Sequence, residues 1–237
     1  MLRSPGLTLE GEYRINLRLY NEYKKFHIDS AIHYVDRNIE ISRQLNRPYF
    51  TNQSSLHLSL LYSMCGRFRE AEIILKSIKT SELPRDLLIN YYQTYSSFWG
   101  HYSISVANNL YGKQQAAYQD SLFALIDHTS WDYRMSQASY YIWRDTLKSK
   151  EIFKELLEIE EVGTPNYAMI THSYSRLCHH QKKYDEEKKY LMLSAIADTR
   201  NATRENASLQ SLALIAYDEQ NLADAFKFTQ SAIDDVI

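Results

Sequence analysis

Apolar side chains recur at steps of three and four along most of the chain, which is the spacing of one face of an α-helix. Between Ile28 and Leu45 the apolar and small positions fall on one stripe, whereas the charged positions lie elsewhere. Between Leu147 and Glu161 a second stripe lies opposite a face of lysines and glutamates. No segment of the sequence shows the sustained alternation of a β-strand bounded by hairpin turns. The pattern therefore predicts an all-α protein.

Turn-forming residues divide these stripes into pairs of helices. Proline suits the first turn of a helix because its missing N–H would have no partner there. We therefore interpret Pro84 and Pro165 as marking helix starts. The segments that interrupt the stripes are predicted to be connectors: Asn46–Pro48, Cys65–Arg67, Thr80–Pro84, Tyr111–Lys113, His128–Ser130, Gly163–Pro165 and Glu219–Asn221. Five or six helix–turn–helix units result, with no segment long enough to be an independent linker.

One segment matches a tetratricopeptide repeat (TPR) well. From Leu58 to Ile78, large residues recur on two predicted helices, and Ala71 falls early in the second, where the two backbones come close. The TPR unit is two antiparallel helices in about 34 residues. Equivalent positions of the other units are predicted at Ala31, Ala117, close to Ile152, Glu187 and Ala225. The longest step precedes Ala117 and predicts an extended helix from about Arg85.

Helix pairs of this kind cannot bury their apolar faces alone, and stacking them produces a continuous core. We therefore predict a right-handed α-solenoid of about six TPR-like helical hairpins. The hairpins are expected to form a single superhelical domain over residues 1–237. The repeat register between residues 85 and 165 stays open at this point.

The composition and the absence of known motifs argue against several classes of function. Only 6 glycines and 4 prolines occur in 237 residues, so a glycine-rich loop that cradles phosphate is not expected. The sequence lacks the P-loop, dinucleotide-binding, zinc-protease and nucleophile-elbow motifs. Opposite charges nearly balance at a formal net charge of −2, so direct binding of nucleic acid by this fragment is not expected. We expect no catalytic residues, no cofactor and no resident metal.

Two segments carry a further, diffuse pattern of packing positions. The first contains Leu19-Tyr20-x-Glu22-Tyr23-x-x-Phe26, and the second contains Ser194-Ala195-Ile196-Ala197-Asp198. These segments resemble the sensor region of bacterial TPR-containing, membrane-anchored transcriptional regulators. In that family a secretory signal usually precedes the repeats, and a membrane helix, a coiled segment and a DNA-binding helix-turn-helix domain follow. The resemblance implies a fragment of a longer regulator whose sensor region is periplasmic; a cytoplasmic location is the alternative.

One polar cluster is a candidate binding site. His172, Arg176 and His179 follow at steps of four and three on the helix that begins near Tyr167, and His180 adjoins them. By the TPR pattern these positions line the concave groove, where they can hold a carboxylate or another anion through charge-assisted hydrogen bonds. An ordinary solvated helix face is the alternative. A zinc site is not expected, because no cysteine or carboxylate completes the set.

Aromatic residues form the second candidate surface. The densest aromatic stripe consists of Tyr91, Tyr92, Tyr95, Phe98, Trp99 and Tyr102. Aromatic residues at helical spacing usually pack against the next helix, so a core is one interpretation, and a wall for a peptide or a sugar is the other. Tyr20 and Tyr23 on the first helix face either the groove or an upstream cap. Asp198 is interpreted as a surface charge.

These features predict a non-catalytic module that binds a protein, a peptide or a small ligand in the concave surface of the solenoid. The predicted partner-binding residues are His172, Arg176, His179, Tyr20, Tyr23 and Tyr95. A scaffold that holds a homodimer without any ligand is the alternative. A helical carbohydrate-active enzyme is the least favoured of the three hypotheses, because the sequence offers no clear pair of inward carboxylates. The apolar stretches are far shorter than the about 20 residues of a membrane helix, so no membrane span is expected in this fragment.

Overall fold

The computed structural model describes residues 6–24, 27–106, 111–201 and 206–234. These residues form twelve α-helices and one short 3₁₀ turn, Thr80–Glu82, without any β-strand. The helices are α1 Leu9–Tyr23, α2 Ile28–Gln44, α3 Pro48–Met64, α4 Phe68–Ser77, α5 Arg85–Ser105, α6 Gly112–Phe123, α7 Trp131–Tyr141, α8 Thr146–Ile159, α9 Pro165–His180, α10 Tyr184–Arg200, α11 Ala207–Asp218 and α12 Leu222–Asp234. The all-α prediction is confirmed.

The chain divides into two compact units, Met1–Ile126 and Asp127–Ile237. The first unit contains α1 to α6 and the second contains α7 to α12. Within each unit every helix packs against the next one along the chain. Each unit is thus three stacked TPR-like hairpins, which together make the six that the repeat pattern predicts. The single superhelical domain over residues 1–237 stays a prediction.

Prolines and turns set the helix starts as expected. Pro165 is the first residue of α9, and Pro84 immediately precedes α5. At 21 residues, α5 is the longest helix among the described residues, and it begins at Arg85 as the enlarged repeat step predicts. No helix of the described ranges is both long and apolar enough to cross a membrane.

Small residues bring the helices of the first two hairpins close together. Ala31 and Ala71 are fully buried, as the TPR pattern predicts. The hydroxyl of Ser59 on α3 donates a hydrogen bond to the Ala71 carbonyl at 3.1 Å, a contact that only a close approach of α3 and α4 allows. Leu56 and Leu75 pack around the same point. In these two hairpins the small residues therefore lie on the buried side of their helices.

The third hairpin corrects the predicted register. Ala117 is exposed on α6, so its assignment as the small packing residue is wrong. On the facing helix α5, an added Cβ at Gly100 would stand 3.0 Å from the side-chain Nε2 of Gln115 on α6. Tyr118 on α6 stacks on Tyr95 of α5 with ring centroids 4.3 Å apart. The register between α5 and α6 is therefore set by the large aromatic contacts of α5. The spacing from a turn glycine does not predict it.

In the second unit, the small packing residue of α8 lies at a different position from the predicted one, and the small packing residue of α10 is replaced by a larger one. Ser149 on α8 is fully buried and donates to the Ala138 carbonyl at 2.8 Å, so the close approach lies three residues before Ile152. Glu187 does occupy the predicted position on α10, and it is buried. Its carboxylate accepts a hydrogen bond from Nδ1 of His179 on the partner helix α9 at 3.0 Å. This bond explains how a carboxylate is accommodated where the pattern expects alanine.

Candidate functional site

A chain of hydrogen bonds links three helices of the second unit at the predicted polar cluster. His172 Nδ1 on α9 lies 2.9 Å from the hydroxyl of Ser208 on α11. Ser208 donates to the hydroxyl of Ser194 on α10 at 2.9 Å. Ser194 in turn donates to the backbone carbonyl of Ala168 at 3.0 Å. Both serines are buried, so this chain joins two neighbouring hairpins through their shared interface.

The direction of this chain fixes the tautomer of the imidazole of His172. A hydroxyl carries one hydrogen, and the one on Ser208 is used towards Ser194. The bond between His172 and Ser208 therefore has the Nδ1–H as its donor. A neutral imidazole that carries its hydrogen on Nδ1 has a free lone pair on Nε2. Nε2 of His172 has no hydrogen-bond partner among the described residues, and it is not one of their fully enclosed polar atoms.

Burial keeps the imidazole neutral. His172 is half-buried, and desolvation lowers its pKa below the ordinary value. The positive charge of Arg176 lowers the pKa further. Because the ordinary value is already below pH 7, the side chain is an uncharged hydrogen-bond acceptor at neutral pH.

Arg176 lies one helical turn beyond His172 and is exposed. Its guanidinium makes no ion pair or hydrogen bond with any residue that the structure describes. A planar guanidinium presents five N–H donors in a fork that matches a carboxylate. The site therefore offers an open cation next to a neutral acceptor. This pair can hold a group that is an anion on one side and an N–H or O–H donor on the other.

His179 does not join this pair. Its Nδ1 donates to Glu187 on α10, and its ring lies edge-on to Tyr184 at 6.0 Å. His180 packs against the ring of Trp143 at 4.5 Å. The described residues contain no group of three or more metal-ligating side chains. Of the predicted cluster, the structure brings together His172 and Arg176 and turns His179 towards α10.

The tyrosines predicted on the first helix are packing residues. Tyr20 is only 2% exposed and stacks on His57 at 4.4 Å. Burial raises the pKa of the Tyr20 hydroxyl to about 12, so it stays protonated. Tyr23 is half-buried and stacks on Tyr34 at 5.6 Å. The structure thus places Tyr20 in the core, with no ring face open to a partner, and Tyr23 at its edge.

The aromatic stripe of α5 is likewise mainly core. Tyr91, Tyr95 and Phe98 are buried among the apolar residues of α3, α4 and α5. Burial raises the pKa of Tyr95, with smaller contributions from Tyr91 and Tyr118. The core interpretation is confirmed for these three residues. Tyr92, Trp99 and Tyr102 are half-buried at the edge of this core, so a binding wall on α5 is limited to them.

Sequence reasoning missed the partners that define the site. Ser208 lies 36 residues from His172, and the spacing of one helix carries no signal for a contact with another hairpin. Asp198, interpreted as a surface charge, is buried beside Ser194, with its carboxylate 3.4 Å from that hydroxyl. Serines and a carboxylate on a stripe that is otherwise apolar are the one local sign of a buried polar chain.

The comparisons with known proteins agree with this architecture. The family model of the SusR N-terminal TPR domain matches residues 1–237. No curated protein matches the chain.

Proposed function

Because the chain belongs to the SusR N-terminal TPR domain family, we propose that it is the non-catalytic sensor region of a transcriptional regulator. TPR domains generally mediate protein binding, which supports a binding role for this one. The resemblance to membrane-anchored regulators supports a periplasmic location, and a cytoplasmic one is the alternative. In this proposal the module binds a partner itself and leaves contact with DNA to another part of the regulator.

The proposed ligand is an extended peptide whose last residue lies on α9. Its terminal carboxylate would pair with Arg176, and its last backbone N–H would donate to Nε2 of His172. The observation that supports this assignment is the exposed, unpaired guanidinium one turn from a histidine whose tautomer is fixed by Ser208. Two side chains four residues apart on a helix lie about 6 Å apart, which is within reach of the two ends of one amino acid residue.

Fluorescence polarisation with labelled pentapeptide pools tests this proposal. One pool carries a free C-terminal carboxylate, and a second pool of the same composition carries a C-terminal amide. We expect the carboxylate pool to bind more tightly, and Arg176→Gln to weaken it about tenfold or more, since a charge-assisted hydrogen bond contributes about 1.5–3 kcal/mol.

Arg69→Gln is the matched control, because Arg69 is exposed and has no ion pair with the described residues. It is expected to leave both affinities unchanged. Equal binding of the two pools, or an equal loss in both arginine variants, would show that no carboxylate is recognised at Arg176.

A further inference from the structure

The buried hydroxyl of Ser194 on α10 ends the chain of hydrogen bonds that starts at the candidate site. Its bond to the Ala168 carbonyl measures 3.0 Å, and the carboxylate of Asp198 lies 3.4 Å away. A carbonyl oxygen has no hydrogen to give, so Ser194 is the donor in the bond to Ala168. A hydroxyl carries only one hydrogen, and Ser194 is only 1% exposed. Towards any other hydroxyl, Ser194 is therefore an acceptor.

This end of the chain sets the direction of every bond in it. Because Ser194 accepts from Ser208, the Ser208 hydrogen points towards α10 over the 2.9 Å between the two hydroxyls. Ser208 then has only lone pairs left for His172, whose Nδ1 also lies 2.9 Å away. The Ala168 carbonyl thus determines, through two serines, which nitrogen of the imidazole carries the hydrogen.

The chain can run in the opposite direction when the hydroxyl on α10 is removed. Without Ser194, the partner that the described residues leave for the Ser208 hydrogen is Nδ1 of His172. Ser208 is only 2% exposed, and a buried hydroxyl hydrogen without an acceptor is unfavourable. The imidazole then accepts at Nδ1 and carries its hydrogen on Nε2. Removal of one hydroxyl on α10 therefore converts Nε2 from an acceptor into a donor.

We propose that Ser194 is a positioning residue of the site on α9, which makes His172 select ligands that donate a hydrogen bond. Ser194 is buried and acts through Ser208. The consequence for ligands rests on the peptide site proposed above: a last peptide unit with an N–H is bound, and one with an ester oxygen in that place is disfavoured. The tautomer itself depends on no ligand.

Long-range proton–nitrogen correlation NMR of the whole chain with ¹⁵N-labelled histidine reads the tautomer. Burial and, to a smaller extent, the charge of Arg176 lower the pKa of His172, so its ring is neutral at neutral pH. The chain has 8 histidines, and His172→Gln assigns the signals of this one. We expect the hydrogen on Nδ1 in the wild type. In Ser194→Ala we expect it on Nε2, with a preference of about fivefold or more, because the other tautomer leaves a buried donor unsatisfied.

Ser149→Ala is the matched control. Ser149 on α8 is also fully buried and donates to a helix carbonyl, that of Ala138, at 2.8 Å. The control therefore removes the same atoms and the same kind of hydrogen bond, but this bond involves no histidine. It is expected to leave the tautomer of His172 unchanged. The same change of tautomer in both variants would show that looser packing is the cause and would overturn the proposal.

Two pentapeptides measure the consequence for binding. Both end in a free carboxylate, and the second has an ester oxygen in place of the last backbone N–H. In fluorescence polarisation the wild type and Ser149→Ala are expected to bind the amide about fivefold more tightly than the ester, which is the contribution of one hydrogen bond. Ser194→Ala is expected to lose or reverse this preference, because two donors then face each other.

The two measurements separate this proposal from the peptide site itself. A hydrogen on Nε2 in the wild type, which needs no variant, would overturn the role of Ser194. The same tautomer in the wild type and in Ser194→Ala would overturn it as well. A reversed tautomer with an unchanged amide preference would refute the selection of ligands by His172. If neither peptide binds, the proposed peptide site and the ligand selection are both refuted, whereas the NMR spectra still test the tautomer.

Discussion

Replacing Lys182 with glycine is expected to stabilise the protein, although it removes a side chain. Lys182 follows α9 with a positive φ of 58°, in the left-handed region. The next amide, Lys183 N–H, donates back to the Cys178 carbonyl at 2.9 Å, which is the hydrogen bond of a Schellman motif. Gly66 has the same role after α3, with a φ of 78° and the Arg67 amide 2.8 Å from the Tyr62 carbonyl.

The expected change in the free energy of unfolding follows from the left-handed backbone of these two turns. A side chain in the left-handed region costs roughly 1–2 kcal/mol. Glycine avoids that cost but gives back about 0.5–1 kcal/mol through its greater freedom in the unfolded chain. The net expectation for Lys182→Gly relative to Lys182→Ala is about 0.5–1 kcal/mol of stabilisation. Both variants remove the same charge from the helix end, so their difference isolates the backbone.

Thermal unfolding of the variants measures this difference. For a chain of this size, about 1 kcal/mol corresponds to a shift in Tm of roughly 2–4 °C. Gly66→Ala should shift Tm in the opposite direction, since no atom lies within 4 Å of the added Cβ and only the backbone strain changes. Equal stability of Lys182→Gly and Lys182→Ala, or a neutral Gly66→Ala, would refute the assignment of strain to these turns.

Two further predictions concern the core. Phe153→Ala is expected to destabilise by about 3–5 kcal/mol in urea unfolding, because Phe153 is fully buried, whereas Leu147→Ala, at a residue 73% exposed, should stay within about 0.5 kcal/mol. Burial lowers the pKa of His57 to about 4, so the unfolded state takes up a proton first as pH falls, and stability present above pH 6.5 is lost towards pH 4. Substituting His57 with phenylalanine should remove on the order of 2–3 kcal/mol of that loss, while His33→Gln, at an exposed position, should retain it; equal pH profiles would contradict this account.

The fold was largely predictable because its signals are local. Helical periodicity and turn residues lie within short segments, so α5 and its start at Arg85 follow from the repeat step. The small residues Ala31 and Ala71 were predictable for the same reason. The prediction for Ala117 was wrong because the spacing from a turn cannot show which side of the helix faces its partner, and Ala117 lies on an exposed side of α6.

The candidate site was only half predictable. A step of four residues correctly placed His172 and Arg176 together on α9. Which side chains meet them depends on the register between hairpins, and that register is set by the packing of whole helices. The hydrogen bond of His179 with Glu187 and that of His172 with Ser208 therefore depend on how the helices pack together, and local sequence spacing does not predict them.

The pairing of each helix with its neighbours in sequence has a consequence for how the protein is made. Contacts that are close along the chain need little loop closure, so contact order is low and folding is fast. A hairpin such as α1–α2 has most of its partners as soon as α3 has been synthesised. Nascent chains of this kind acquire structure from the N-terminus onwards while translation continues, and they expose only the most recently made hairpin to aggregation.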